Sequence, residues 1–406
     1  MGRKKHSIYF GSKICYNKNI DSKKGGKNLQ KVIVVPDSFK GSMTSREVAD
    51  ILAASAKQYL KCETVRLPIA DGGEGSLECI LRAKGGNRKL VRVHSPENKL
   101  IEAAYGILED GTAVIEIAQS SGLTRQTGFH ALDATTYGFG ELITAALNAG
   151  YRKFYLCLGG SATTDCGCGM AAALGTRFYN KENLPLLPTG GSLSEVTKID
   201  WQNLDPRIAE STFTVMSDVT NPLYGHNGAA YIYAPQKGAS EKEVEILDDG
   251  LSHVSKVIEC NCHVDPNTPA AGAAGGVGYG CMAFLNAKVV SGIDGMLQLF
   301  HFDEVVQNSD LIVTGEGCLD EQSLMGKVLS GIRRHSGNKE IVSFCGKCTV
   351  PAQRLAGDHI TAVEIATGIP IQEAMQKGRE YLTAAANSYF ESYREGSREH
   401  SELPFL

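Results

Sequence analysis

The stretch Lys31-Val32-Ile33-Val34-Val35-Pro36-Asp37-Ser38-Phe39-Lys40-Gly41-Ser42 decides how the chain is read. A β-branched run of buried-strand character is closed by proline and opens into a polar loop. Thr44 and Glu47 then form an S/T-x-x-E capping box, and Val48, Ile51, Leu52, Ser55 and Tyr59 recur at helical spacing, so a helix is predicted up to the charged end near Lys61. Strand, loop and helix follow one another, with an aspartate and a lysine in the loop.

The same grammar recurs outward from this unit. A strand predicted over 65–69 empties into Asp71-Gly72-Gly73-Glu74-Gly75-Ser76 before a helical stretch over 77–83. A strand over 154–158 runs into Gly159-Gly160-Ser161-Ala162-Thr163-Thr164-Asp165, and the small residues of 167–175 predict a tightly packed helix. A strand over 213–216 has Asp218 and Asn221 just beyond it. Ser240 and Glu243 cap a helix carrying Val244, Leu247, Leu251 and Val254. Further strands over 311–313 and 341–344 lead into Thr314-Gly315-Glu316-Gly317 and Gly346-Lys347. This alternation predicts α/β architecture with mainly parallel sheets.

Composition narrows the function. The chain has 406 residues, enough for two or three domains, and a formal net charge of −4. That balance lacks the basic bias of a nucleic-acid binder, and no apolar run reaches the ~18 to 20 residues that span a bilayer, so neither nucleic acid nor membrane is an expected partner. With no apolar secretory core at the start, a cytoplasmic location is expected. The twelve cysteines are dispersed and are expected to be free thiols. Cys345-Gly346-Lys347-Cys348 and Cys260-Asn261-Cys262-His263 lack the paired partner cluster that a structural zinc site needs.

The 45 glycines are bunched in pairs, and several of these fall in loops that follow predicted strands, where ligands of open parallel sheets sit. Gly-Gly-Ser-x-Thr before a small-residue helix offers unhindered backbone N–H groups, two hydroxyls and a positive helix end, a combination suited to phosphate. The same residues also make a plain tight turn, as do the glycines of 272–278 and 314–317. No G-x-x-x-x-G-K-[ST] and no G-x-G-x-x-G after a strand is present, so any nucleotide is held without those fingerprints. Asp37, Asp71, Asp165, Asp218, Glu316 and Asp320 all follow predicted strands and are candidates to hold Mg2+ or take a proton. Lys40, Lys237 and Lys327 are candidates to neutralise an anion.

Five of these motifs, Pro36-Asp37-Ser38-Phe39-Lys40-Gly41, Ala70-Asp71-Gly72-Gly73-Glu74-Gly75, Leu158-Gly159-Gly160-Ser161-Ala162-Thr163, Pro235-Gln236-Lys237-Gly238-Ala239 and Thr314-Gly315-Glu316-Gly317, closely resemble the bacterial glycerate kinase type I family in order and spacing over residues 32–389. The chain departs from the family pattern at Thr164, Cys166, Cys168, Cys318 and Ser323, where Asn, small residues, Arg and Thr are usual. The resemblance implies ATP-dependent phosphorylation of D-glycerate with Mg2+, commonly on the 2-hydroxyl. It also implies two α/β domains, the second inserted into the first, with the active site in the interdomain cleft. On this basis residues 29–80 and 292–393 are expected to form a discontinuous Rossmann-like or flavodoxin-like domain, 81–291 the inserted α/β domain, and 394–406 a polar tail.

Residue roles follow from the matched motifs as hypotheses. Asp71, Lys40 and Asp37 are assigned to catalysis, with Asp71 as the base. Ser38, Gly72, Gly73, Glu74 and Lys237 are assigned to substrate. Gly159, Gly160, Ser161, Thr163, Gly315, Glu316 and Gly317 are assigned to ATP, and Asp218 and Asp320 to the metal. Phosphorylation of the 3-hydroxyl or of a related small hydroxy acid, and a non-catalytic hydroxy-acid sensor, stand as alternatives. Oligomeric state is left open between monomer and homodimer.

Residues 1–28 read differently, with eight basic residues against Asp21 and no periodicity, and are expected to be disordered. Lys24-Gly25-Gly26-Lys27 can be encoded by a purine-rich stretch resembling a bacterial ribosome-binding site, and Leu29 by a TTG start codon. The expectation is an untranslated leader. Mass spectrometry of the native N-terminus is expected to find Leu29 as the first encoded position, and a peptide from before it would refute this.

Overall fold

The computed structural model describes residues 14–15, 29–39, 41–69, 75–128, 131–324 and 328–395. The chain divides into two compact units, Met1–Ala70 with Met296–Leu406, and Asp71–Gly295.

The first unit is built on a six-stranded sheet in the spatial order Ile14–Cys15, Ile360–Glu364, Ile341–Cys348, Leu311–Leu319, Lys31–Val34, Glu63–Arg66. All pairs are parallel except the antiparallel edge strand Ile14–Cys15. Residues 32–35, 311–313 and 341–344, predicted as strands, are buried because helices cover them. Helices Ser45–Leu60 and Gly378–Glu395 pack together over Val32, Val34, Val313 and Phe344, with Leu52, Leu382 and Phe390 filling the layer. Thr44 caps the first of these helices. Glu47 N donates to Thr44 Oγ1 at 3.3 Å while Thr44 N donates to Glu47 Oε2 at 2.9 Å. Thr44→Ala is therefore expected to lower the unfolding free energy by about 1 kcal/mol, read from the midpoint of a urea transition.

The second unit has a six-stranded sheet in the order Lys288–Val290, Thr212–Met216, Lys153–Cys157, Thr112–Glu116, Leu100–Ile107, Asn87–His94. The first four strands are parallel and the last two form an antiparallel hairpin. A small antiparallel sheet, Lys198–Asp200, Arg177–Tyr179 and Pro185–Leu186, is inserted in the chain between strands Lys153–Cys157 and Thr212–Met216. One core gathers Phe139, Phe154, Leu156 and Val215 between the main sheet and helix Tyr137–Asn148. Another gathers Phe178, Leu251, Tyr279 and Phe284 along helix Glu241–Glu259, whose Ser240–Glu243 capping box is formed.

Three expectations are corrected here. The strand expected over 65–69 is Glu63–Arg66. Leu67 N and Ile69 N still reach Val34 O and Pro36 O, but Pro36, whose position faces this strand, has no N–H to return a bond to it. The units divide after residues 70 and 295, where the expectation was 80 and 291. The helix Ser76–Lys84 goes with the second unit, since Leu77 and Leu81 pack onto Gly106 of the sheet and Leu77 N donates to Glu116 Oε2 at 2.9 Å. Within the leader expected to be disordered, Ile14–Cys15 pairs with Ala362–Val363 of the first sheet; the rest of 1–28 lies outside the described residues. The C-terminal helix runs to Glu395, and the tail beyond it also lies outside them. Among the described residues no helix is long and apolar enough to cross a membrane, and the eleven cysteines from Cys62 to Cys348 are free thiols.

Candidate functional site

In the second unit, the loops leaving two neighbouring parallel strands, Lys153–Cys157 and Thr212–Met216, line a pocket of about 580 Å³. The first loop brings Gly159, Gly160 and Ser161; the second brings Asp218 and Asn221; Tyr233 and Lys237 complete the polar wall. Gly160 has φ +76°, a conformation that favours glycine. Among the described residues, the N–H groups of Gly159 and Gly160 have no hydrogen-bond acceptor, although the Gly160 carbonyl accepts from Leu123 N at 3.0 Å. Two unsatisfied backbone donors on a pocket wall are the elements of an anion cradle.

Beside this loop lies Lys237, 2% exposed. Its Nζ donates to Ser161 Oγ at 3.1 Å and to the Thr163 carbonyl at 2.7 Å. Both partners are neutral, so burial draws the ammonium pKa down to about 7, opposed by the charge of Asp165. A third ammonium hydrogen remains for a ligand. Thr163 itself is fully buried and does not line the pocket; its Oγ1 has no hydrogen-bond partner among the described residues.

Asp165 corrects an expectation. Placed by sequence among the candidates for metal or proton, it is fully buried, and its carboxylate closes the chain on itself. Asp165 Oδ2 accepts from Thr136 N and Thr136 Oγ1, both at 2.7 Å, and from Gly169 N at 3.2 Å, while Oδ1 accepts from Gly167 N at 3.2 Å. Burial pushes its pKa up against the pull of these donors. It serves as the buried anchor of helix Cys168–Ala173, a negative group at the positive helix end. The 272–278 glycines brace the same region. Gly275 has φ +71°, and a Cβ there would stand 2.0 Å from the Thr163 carbonyl, so only glycine allows this approach.

The first unit carries its own pocket, of about 720 Å³, again at the carboxyl ends of parallel strands. Asp37 and Ser38, Glu316 and Gly317, and Lys347 face it together with Glu364. Asp37 N donates to the Gly315 carbonyl at 2.8 Å, and Asp37 Oδ1 accepts from Ser38 N at 2.6 Å. Ser323 Oγ donates to Glu316 Oε2 at 2.6 Å. Asp320 joins that cluster through a turn, accepting from Ser323 N at 3.0 Å, and does not line the pocket. Glu364 accepts from Cys348 N at 2.7 Å and from Thr367 Oγ1 at 3.0 Å. The Cys345 thiol draws the Cys348 thiol pKa down to about 7.

The sequence-assigned residues thus fall into two groups: Asp37, Ser38, Gly315, Glu316, Gly317 and Asp320 in the first unit, and Gly159, Gly160, Ser161, Thr163, Asp218 and Lys237 in the second. Lys237, assigned to substrate, lies with the loop assigned to ATP. Lys40, Asp71, Gly72, Gly73, Glu74 and Lys327 lie outside the described residues. Sequence reasoning missed Tyr233 and Lys347 as pocket residues. It also missed Glu116, fully buried, whose carboxylate accepts from Gly75 N at 3.1 Å and Leu77 N at 2.9 Å, just past the aspartate-glycine loop. A lone charge ending a strand carries no local signal of that role, whereas Tyr233 stands four residues before Lys237 and shares its helical turn region. Among the described residues, no three His, Cys, Asp or Glu side chains gather closely enough to hold a metal by themselves.

Known proteins match nearly the whole chain. Residues 32–394 match the model of the glycerate kinase family. A glycerate kinase of Halalkalibacterium halodurans is 37% identical over 89% of this chain and 97% of its own length. The glycerate 2-kinase of Escherichia coli is 39% identical over 79% of this chain and 86% of its own. The crystal structure of a Salmonella typhimurium protein assigned as glycerate kinase 2 superposes with a TM-score of 0.79 at 32% identity, covering 91% of this chain and all of that one. The chain belongs to the glycerate kinase family.

Proposed function

We propose that this protein transfers the γ-phosphoryl group of ATP to the 2-hydroxyl of D-glycerate. The observation that carries the proposal is the anion cradle of the second unit: two unsatisfied N–H groups on a glycine loop beside a buried lysine whose partners are neutral. Such transfers need positioning and charge neutralisation more than covalent chemistry, so the absence of a Walker motif is no obstacle. Gly159, Gly160, Ser161 and Lys237 are assigned to the phosphates of ATP. Asp37 and Ser38 are assigned to glycerate, with Lys40 and with Asp71 as the acceptor's base on sequence grounds. The name of the E. coli relative, a glycerate 2-kinase, favours the 2-hydroxyl. ATP as phosphoryl donor fits action in the cytoplasm.

Magnesium fits the residues present. The ion is usually held by one or two carboxylates together with substrate phosphates, and Asp218 supplies such a carboxylate on the pocket wall, its Oδ1 already oriented by Gly292 N at 2.9 Å. Bound there, the ion supplies neutralisation of phosphate charge. Asp320, the other residue assigned to it, is occupied by Ser323.

Coupled ADP release with D-glycerate, followed by phosphorus NMR of the product, tests the proposal. ADP production dependent on D-glycerate and a 2-phosphoglycerate resonance are expected. A 3-phosphoglycerate product would reassign the acceptor oxygen, and tight glycerate binding without turnover would make the protein a sensor.

A further inference from the structure

Tyr233 is the single aromatic side chain on the wall of the second unit's pocket among the described residues. Its hydroxyl donates to Asn221 Oδ1 at 2.7 Å. The other end of that amide is also committed, since Asn221 Nδ2 donates to the Asn227 carbonyl at 2.8 Å. The amide is therefore fixed in orientation, and it holds the ring by its far end. Tyr233 stands in the short helix Ala229–Tyr233, four residues before Lys237, so one continuous segment contributes both an aromatic face and the buried ammonium to the same pocket. Leu123 and Val219 supply apolar surface on that wall. A flat heteroaromatic ring gains most from an aromatic face that is already immobile, because little rotamer freedom is then lost on binding.

The geometry points to Tyr233 as the platform on which the purine base of the nucleotide stacks, with Asn221 as the positioning residue that holds the platform. This rests on the assignment of the cradle at Gly159 and Gly160 to the phosphates of ATP. That cradle and Lys237 recognise the charged end of the ligand, and any polyphosphate satisfies them. Tyr233 is what distinguishes a nucleotide from a bare polyphosphate. A hydroxyl held by Asn221 fixes the far end of the ring at the pocket wall.

The test compares two ligands on the intact protein by titration calorimetry: ADP, which has the base, and inorganic tripolyphosphate, which does not. Tyr233→Ala is expected to weaken ADP about tenfold, the loss typical of one base–aromatic stack, while leaving tripolyphosphate within twofold. Tyr233→Phe keeps the ring and frees it from Asn221, and is expected to weaken ADP by a smaller factor with tripolyphosphate again unchanged. Equal weakening of both ligands, or ADP binding unchanged in a natively folded Tyr233→Ala variant, overturns the proposal. If Tyr233→Ala does not fold, Tyr233→Leu fills the volume without a ring face and must show the same selective loss. The assay is independent of turnover. Failure of the wild type to phosphorylate D-glycerate while ADP binding still depends selectively on Tyr233 would refute the acceptor and leave the platform standing. Phosphorylation of D-glycerate without that selective dependence would refute the platform alone.

Discussion

Lys237→Met is expected to lower kcat/KM for ATP by about a hundredfold or more while the protein stays folded. The magnitude follows from the cost of deleting one preorganised donor aimed at developing phosphoryl charge, typically 10²–10³-fold. Methionine keeps the length and apolar stem of the buried side chain, which is only 2% exposed. Two hydrogen bonds, to Ser161 Oγ and the Thr163 carbonyl, are lost, but a charge buried among neutral partners is removed with them. Initial rates against ATP, with circular dichroism as the folding control, check this. Activity within threefold of wild type would show that the buried ammonium does not meet the phosphates.

The same lysine gives the reaction a pH limb. Its folded pKa of about 7 lies below its ordinary 10.5. Raising the pH through 7 therefore removes the ammonium from the free protein and weakens binding of the polyanion. Stability moves the other way. Between the two values the unfolded chain holds a proton that the folded chain has released, so the cost of burying the charge is fully present below about pH 7 and fades as pH rises towards 10.5. Lys237→Met removes both slopes.

Much of the scaffold for this chemistry is legible in the sequence. The runs at 31–35, 154–158, 213–216, 311–313 and 341–344 are short, mostly apolar and bounded by turns, and each one forms a largely buried strand, because a parallel strand covered on both faces needs no alternation. The capping boxes at Thr44 and Ser240 likewise mark real helix starts, since a box is a local arrangement of four residues. The hairpin Asn87–His94 with Leu100–Ile107 was not predicted. Residues 87–90 are exposed and charged or polar apart from Leu90, so the edge strand carries an inward alternation only at Val91 and Val93, too short to mark it. Loop position betrayed the glycines and Asp218, because residues after parallel strands gather at one edge of the sheet. The difference between Asp165 and Asp218, one a buried anchor and the other a pocket wall, is invisible at that level. It depends on Thr136, 29 residues earlier, turning its N–H and hydroxyl onto Asp165.

Asp165→Asn is expected to lower the unfolding free energy by about 2–4 kcal/mol, since buried donors left without an acceptor cost ~1–3 kcal/mol each and bonds to a charged acceptor are the stronger kind. Every group around the carboxylate donates: Thr136 N, Thr136 Oγ1 and Gly169 N converge on Oδ2, and Gly167 N on Oδ1. An amide has one oxygen, so whichever way Asn is turned, its own N–H groups face at least one buried N–H. The chain cannot relax away from the clash, because a Cβ at Gly169 would already lie 2.8 Å from Asp165 Oδ2 and Gly275 is pressed against the Thr163 carbonyl. Urea unfolding reads the loss, and a change below about 0.5 kcal/mol would show that the buried cluster tolerates a donor. The substitution reaches the pocket as well. Asp165 is the charge that supports the proton on Lys237, so its removal lets the ammonium deprotonate at lower pH. The limb of ATP binding in Asp165→Asn is therefore expected to shift to lower pH than in the wild type, measured under conditions where both proteins are folded. A limb shifted upward, or unmoved, would mean that the two buried groups do not sense one another across Thr163 and Thr164.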